Sequence, residues 1–152
     1  MVERSRDAHT VYTELRFAES AAVEFQFLRE WGMSLASHTP CVVRFESESR
    51  YVVVRYECRF VEVSCGASAD GDSYSVKELF SATSPRERYR ESSGATVESV
   101  RAALAIAATQ TKRVMPHIVA DFAASEVKRY RESLVEYYEG KRERSPDFGK
   151  LP

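Results

Sequence analysis

Between Cys41 and Cys65 the chain reads CVVRFESESRYVVVRYECRFVEVSC, with apolar residues on alternate positions in three successive runs, and this alternation predicts a three-stranded antiparallel meander. Side chains alternate faces along a strand, so a one-residue slip would invert every one of them, and the register can be tested pair by pair. With Glu48-Ser49 as a two-residue turn, Phe45 meets Val52, Val43 meets Val54 and Cys41 meets Tyr56. With Cys58-Arg59 as the next turn, Tyr56 meets Val61, Val54 meets Val63 and Val52 meets Cys65. One continuous apolar face results. The opposite face sets Glu46 beside Tyr51, Arg44 beside Val53 and Ser64, and Val42 beside Arg55 and Glu62, which is mixed and partly charged. Such asymmetry is what an antiparallel sheet shows when helices cover a single side. Neither turn carries the Asn-Gly or Asp-Gly that tight hairpins prefer, so longer loops of the same parity remain an alternative.

The flanking segments read mainly as helix. From about Asp7 to Trp31 the residues Val11, Leu15, Ala18, Ala22, Phe25 and Leu28 recur at spacings of three and four, an amphipathic period, with Gly32 as a left-handed cap and Met33 folding back on the last turn. Val11, Thr13, Leu15 and Phe17 also alternate with period two, so residues 10–17 have a strand as their alternative. Residues 33–40 read as a connector made extended by Pro40. After Cys65, Asp70-Gly71 signals a hairpin whose register would set Ala67 against Tyr74 and Cys65 against Val76, and the favoured reading is a short fourth strand to Tyr74. Ser75 and Glu78 then form a capping box for a short helix to about Ser81.

Residues 82–95, with Pro85, Gly94 and the run Arg86 to Glu91, read as a surface loop. A helix resumes near Val97, lined by Val97, Val100, Leu104, Ala107, Thr111 and Val114, and Pro116 interrupts it. A new or kinked helix runs on to about Glu139, with Val119, Phe122, Val127, Tyr130, Leu134 and Tyr138 as its apolar side, and Gly140 ends it. The fold expected is therefore α+β: an antiparallel three- to four-stranded meander covered on one face by an N-terminal helix and two C-terminal helices. Residues 1–140 form a single domain in this reading and 141–152 a disordered polar tail.

Length and charge narrow the picture without pointing to a reaction. A chain of 152 residues suffices to bury roughly 70% of its unfolded surface in one domain. A formal net charge of −1 gives no pull toward nucleic acid or an anionic membrane. Cys41, Cys58 and Cys65 are odd in number and lack metal-ligand spacing, and the chain opens Met-Val-Glu-Arg-Ser-Arg without an apolar signal core, so a reducing cytoplasm is the expected compartment. The longest apolar run, Ala102 to Ala108, falls far below the ~20 residues of a membrane span.

A search for chemistry gives little. His9, His38 and His117 lie far apart and adjoin no nucleophile signature. Asp70-Gly71-Asp72 lacks the further oxygen ligands and terminal glutamate of a calcium loop, so it reads as a turn, and no cofactor or metal is expected. The order helix, meander, helix invites comparison with the PD-(D/E)xK nuclease core, but Glu62-Val63-Ser64 has no lysine at the needed place and Pro146-Asp147 follows the strands. It also invites comparison with double-stranded-RNA-binding domains, yet Ser93 to Glu98 lacks their lysine cluster, and Arg86, Arg88 and Arg90 alternate with Glu87 and Glu91 as on a solvated surface.

At Phe25-Gln-Phe-Leu-Arg-Glu-Trp-Gly-Met33, Val43-Arg-Phe-Glu-Ser47, Tyr51-Val-Val-Val-Arg-Tyr56 and Val61-Glu-Val63 the chain resembles a group of small bacterial α+β proteins without assigned activity, over roughly residues 15–65. Similar small proteins include immunity partners of bacterial toxins, so the resemblance implies binding and blocking and carries no catalytic residue across. The expectation is a non-enzymatic protein that binds another bacterial protein or itself as a homodimer through the outer sheet face, with Val42, Arg44, Tyr51, Val53, Arg55, Phe60 and Glu62 as the interface. The bland alternative is a solvated face with Arg55 and Glu62 as a weak cross-strand pair. A small-molecule site or enzyme would instead need a pocket between sheet and helices lined by Tyr56, Tyr130 and Tyr138, and a nucleic-acid-binding module is the remaining alternative.

Overall fold

The computed structural model describes residues 15–68, 73–120 and 123–144. Strands β1 (Ser34–Thr39), β2 (Val42–Glu46), β3 (Arg50–Glu57), β4 (Phe60–Ala67) and β5 (Ser73–Ser75) lie side by side in chain order, and β6 (Ser92–Ser93) joins β4, giving a six-stranded antiparallel sheet. Helix α1 (Phe17–Glu24) and a 3₁₀ segment (Gln26–Trp31) precede the sheet, α2 (Val76–Thr83) follows β5, and α3 (Val97–Val119) and α4 (Ala123–Arg144) follow β6. The α+β class is therefore as expected. Among the described residues no helix is long and apolar enough to cross a membrane.

The meander has the register its alternation predicts. Val43 faces Val54 and Phe45 faces Val52, while across the next pair Val52 faces Cys65, Val54 faces Val63 and Tyr56 faces Val61. The Tyr56 amide donates to the Cys41 carbonyl at 2.9 Å, which extends the first pairing by one step. Every inner-face residue is buried except Cys41, which is half-buried. Both turns stay tight without glycine. In the first, Ser47 Oγ accepts from the Arg50 amide at 3.0 Å, and the Ser47 amide donates to the Arg50 carbonyl at 2.8 Å. In the second, Cys58 and Arg59 both take positive φ, 51° and 70°, the left-handed conformations of a type I′ turn.

Helices α1, α2 and α3 cover the inner face. The N-terminal segment buries Phe17, Ala21, Phe25 and Leu28, whereas Leu15, Ala18 and Ala22 are half-buried, so the buried stripe is offset from the expected one. The cause is local: Arg16 is left-handed (φ 53°) and the chain tightens to 3₁₀ after Phe25, so no single helical period spans the segment. Residues 7–14 of the expected helix, and most of its strand alternative, lie outside the described residues. Phe17 stacks on Tyr56 at 5.6 Å and Phe25 on Phe45 at 6.4 Å, tying this segment to β2 and β3. Gly32 caps it at φ 77°, and the buried Met33 donates its amide to the Leu28 carbonyl at 3.0 Å, as expected.

Several expectations need correction. Residues 34–39 are a strand rather than a connector; all six are exposed, so there was no one-sided alternation for a sequence pattern to carry. Their pairing with β2 shifts between Leu35 and Ser37, a bulge of the kind that bends sheet edges. On the other side, Cys65 faces Tyr74 and not Val76. Ser75 caps α2 as expected, accepting from the Glu78 amide at 3.0 Å, and the strand before it pairs two residues earlier than the hairpin register. The Asp70-Gly71 turn lies outside the described residues. Helix α3 runs through Pro116 to Val119: Val114, Met115 and Ile118 are buried around the proline, and that burial outweighs the one backbone bond proline removes.

Gly140 does not end α4, which continues to Arg144 through strongly helix-forming neighbours at a cost of about 1 kcal/mol for the glycine. Residues 145–152 lie outside the described part. α4 also packs mainly on α2 rather than on the sheet. Among its described side chains Val127 is buried, while Leu134 and Tyr138 of the expected apolar side are exposed, Tyr138 by 62%, as is Val119 at the end of α3. Phe122 and the Tyr130 side chain lie outside the described residues.

Gly94 joins the sheet to α3. Its amide donates to the Arg59 carbonyl at 2.9 Å and its carbonyl accepts from the Tyr56 hydroxyl. A Cβ there would meet the Ser99 carbonyl carbon at 2.4 Å, so only glycine fits. Thr96 then caps α3 reciprocally with Ser99, whose amide donates to Thr96 Oγ1 at 3.1 Å.

Candidate interface on the outer sheet face

Six of the seven predicted interface residues, Arg44, Tyr51, Val53, Arg55, Phe60 and Glu62, line one groove of about 560 Å³ on the outer face. Val42 is half-buried and does not line it. Strand alternation explains the convergence, since Arg44, Val53 and Ser64 stand in one cross-strand row and Arg55 and Glu62 in the next. Val53 forms the floor at 4% exposure, and Phe60 stands at the end of β4 with 43% exposure.

The arginines are held differently. Arg44 donates from Nε to Glu46 Oε1 and lies with its guanidinium carbon 4.3 Å from the Tyr51 ring centre, so an ion pair and a cation–π contact orient both side chains. Arg55 stands opposite Glu62 in register without closing the ion pair of the alternative reading, and it has no ion pair among the described residues.

The far rim comes from residues that the sequence reading did not single out. β5 pairs with β4 at Ser64–Gly66 and β6 at Phe60–Val61, so Glu62 and Val63 lie between the two short strands. Tyr89 and Glu91 face this gap, with Lys77 of α2 beside them, paired to Glu91. Tyr89 packs edge-on against Phe80 at 5.6 Å. Burial, and then the nearby charges of Glu91 and Glu62, raise its phenol above the usual range. The signal was available in the sequence as the one aromatic residue inside the charged run 86–91.

The other candidate groups do not converge. His38 is exposed on β1 and His117 sits near the end of α3; His9 lies outside the described residues. Among the described residues no three His, Cys, Asp or Glu side chains gather as metal ligands do. Cys65 is buried and its thiol is pushed up to about 12 by that burial, Cys41 lies 3.8 Å from Thr39 Oγ1, and Cys58 is exposed at its turn. Tyr56 belongs to the core whereas Tyr138 is exposed on α4, so these two do not line a common pocket. No family model, curated protein or solved structure matches this chain.

Proposed function

We propose that this is a non-enzymatic binding protein that docks another bacterial protein on its outer sheet face, in the manner of an immunity-type or regulatory partner. The observation that carries the reading is the convergence of Arg44, Tyr51, Arg55 and Phe60 around the Val53 floor on a rigid sheet. Aromatic and arginine side chains are the residue types that dominate binding energy at interfaces, and those already fixed lose little freedom on docking. The resemblance of residues 15–65 to a group of small bacterial α+β proteins, to which immunity partners of toxins are similar, agrees with it.

The test is the double substitution Tyr51→Ser, Phe60→Ser. Both side chains lie on the outer face, so helicity and thermal unfolding should stay nearly unchanged while capture of a bacterial partner by the immobilised protein, or its self-association in sedimentation, is abolished. Equal capture by the variant would overturn the reading. Loss of the fold would show that these residues hold up the sheet and are not available to a partner.

A further inference from the structure

Beside the sheet groove, and sharing Lys77, Tyr89 and Glu91 with it, lies a larger open groove of about 1260 Å³ between α2, residues 85–91 and α4. Its chemistry follows from how the run Arg86-Glu-Arg-Tyr-Arg-Glu91 is pinned. The buried Gln110 of α3 accepts from the Arg90 amide at 2.7 Å and donates to the Arg90 carbonyl at 2.9 Å, which fixes the backbone of this run against the domain. Tyr89 is planted against Phe80. Both acids are tied to bases of neighbouring elements, Glu87 to Arg113 of α3 and Glu91 to Lys77 of α2. Each acid thus has a base of another element beside it.

The arginines between them differ. Arg88 and Arg90 line the groove, Arg129 of α4 faces them across it, and among the described residues none of the three guanidinium groups has an ion pair or hydrogen bond. The even mixture of signs in the sequence therefore separates in space, with each acid beside its own base and three guanidinium groups without a partner among the described residues around one concavity.

We propose that this groove takes an acidic polypeptide segment of the partner protein, an inference that rests on the binding reading above and specifies the partner's chemistry. Guanidinium groups offer paired N–H donors that match carboxylates, and three of them spaced around a groove suit side chains presented at intervals along an extended peptide. A nucleic acid fits less well, because its closely spaced phosphates call for a continuous run of bases whereas the guanidinium groups here are three and separated.

The experiment uses the full chain and two fluorescent probes, a peptide of alternating glutamate and serine and a single-stranded DNA oligonucleotide, followed by anisotropy at low and physiological salt. The wild type should bind the peptide in preference to the DNA, more weakly as salt rises. Arg88→Ser, Arg90→Ser, Arg129→Ser combined should weaken peptide binding roughly tenfold with unchanged thermal unfolding, because surface pairs are individually weak. Equal binding by this triple variant, no binding of the peptide by the wild type at low salt, or tighter binding of the DNA would each overturn the inference. The Tyr51→Ser, Phe60→Ser protein should still bind the peptide. If that variant also keeps its partner, the sheet-face reading fails while the arginine groove stands.

Discussion

Val53 and Val54 are consecutive residues of β3, and both are almost withdrawn from water, at 4% and 0% exposure. They lie on opposite faces. Val54 stands between Val43 and Val63, in a core closed by Phe17, Phe25, Leu104 and their neighbours. Val53 stands between Arg44 and Ser64 and floors an open groove. Equal burial thus has two origins: one residue is enclosed by a second layer of structure, the other by its sheet neighbours around a concavity. Only the first kind of burial excludes water when a charge is introduced. The outer face can accordingly be changed at lower cost than the core.

Aspartate at each position is the strongest way to break this comparison. Val54→Asp should abolish cooperative unfolding, since an unpaired carboxylate in an apolar core costs several kcal/mol or more, comparable to the whole stability of a domain. Val53→Asp should cost about 2 kcal/mol, mostly the lost burial of the valine, because the new charge can turn into the groove beside Arg44 and Arg55, and it should lower the midpoint of thermal unfolding by roughly 4–8 °C. Circular dichroism melts of the two variants check this. Collapse of both would mean that the outer face is packed as tightly as the inner one.

A smaller effect, of opposite sign, is expected at the turn where β3 becomes β4. Cys58 and Arg59 both occupy the left-handed region, which costs an L residue roughly 1–2 kcal/mol at each position and is relieved by Asn-Gly. The double substitution Cys58→Asn, Arg59→Gly keeps the Arg59 carbonyl that accepts from Gly94 and should stabilise the protein by about 1 kcal/mol. The denaturant midpoint should rise with an unchanged slope. An unchanged midpoint would show that contacts of the Cys58 and Arg59 side chains already offset the backbone cost, and would make this tip part of the inner, packed region.

These two residues also show what the sequence could reveal. The meander's register was legible through its unfavourable turns because three rows of paired apolar residues outweigh one poor turn, and six of the seven outer-face residues share a groove because alternation places them there. Strand β1 was illegible because all six of its residues are exposed, and a strand with no buried face leaves no alternation. The pairing of β5 was misread by two residues because hairpin and helix-cap signals overlap at Ser75 and the cap prevails. The arginine groove was hidden for another reason. Alternating Arg and Glu reads as a solvated surface until Arg113 and Lys77 are seen to remove the two acids, and those bases come from other elements of the fold. Periodicity reports which face a residue takes, whereas charge separation depends on which elements become neighbours.

The smallest expected effect concerns α4, which carries Arg129 to the arginine groove and lies a layer away from the sheet. Arg131 holds it to α2 through two bonds to Glu78, Nε to Oε2 at 2.5 Å and Nη2 to Oε1 at 2.8 Å. That hydrogen bonding, against an opposing effect of partial burial and with added attraction from the same guanidinium, keeps the Glu78 carboxyl below its usual range. A carboxyl depressed by folding contributes stability that is fully present above the ordinary glutamate value and is lost as pH falls through the lower value of the folded state. With the side chains 51% and 30% exposed, screening limits the pair to about 0.5 kcal/mol. Glu78→Gln should therefore reduce stability by about that amount at neutral pH and by nothing once acid has protonated the wild-type carboxyl. The difference between the two denaturation curves, followed from neutral pH downward, should shrink through the acid range. A difference that persisted undiminished in strong acid would mean that Glu78 acts through the cap it forms with Ser75, a role that glutamine was expected to keep, and that α4 is held to the domain by Val127 and its apolar neighbours instead.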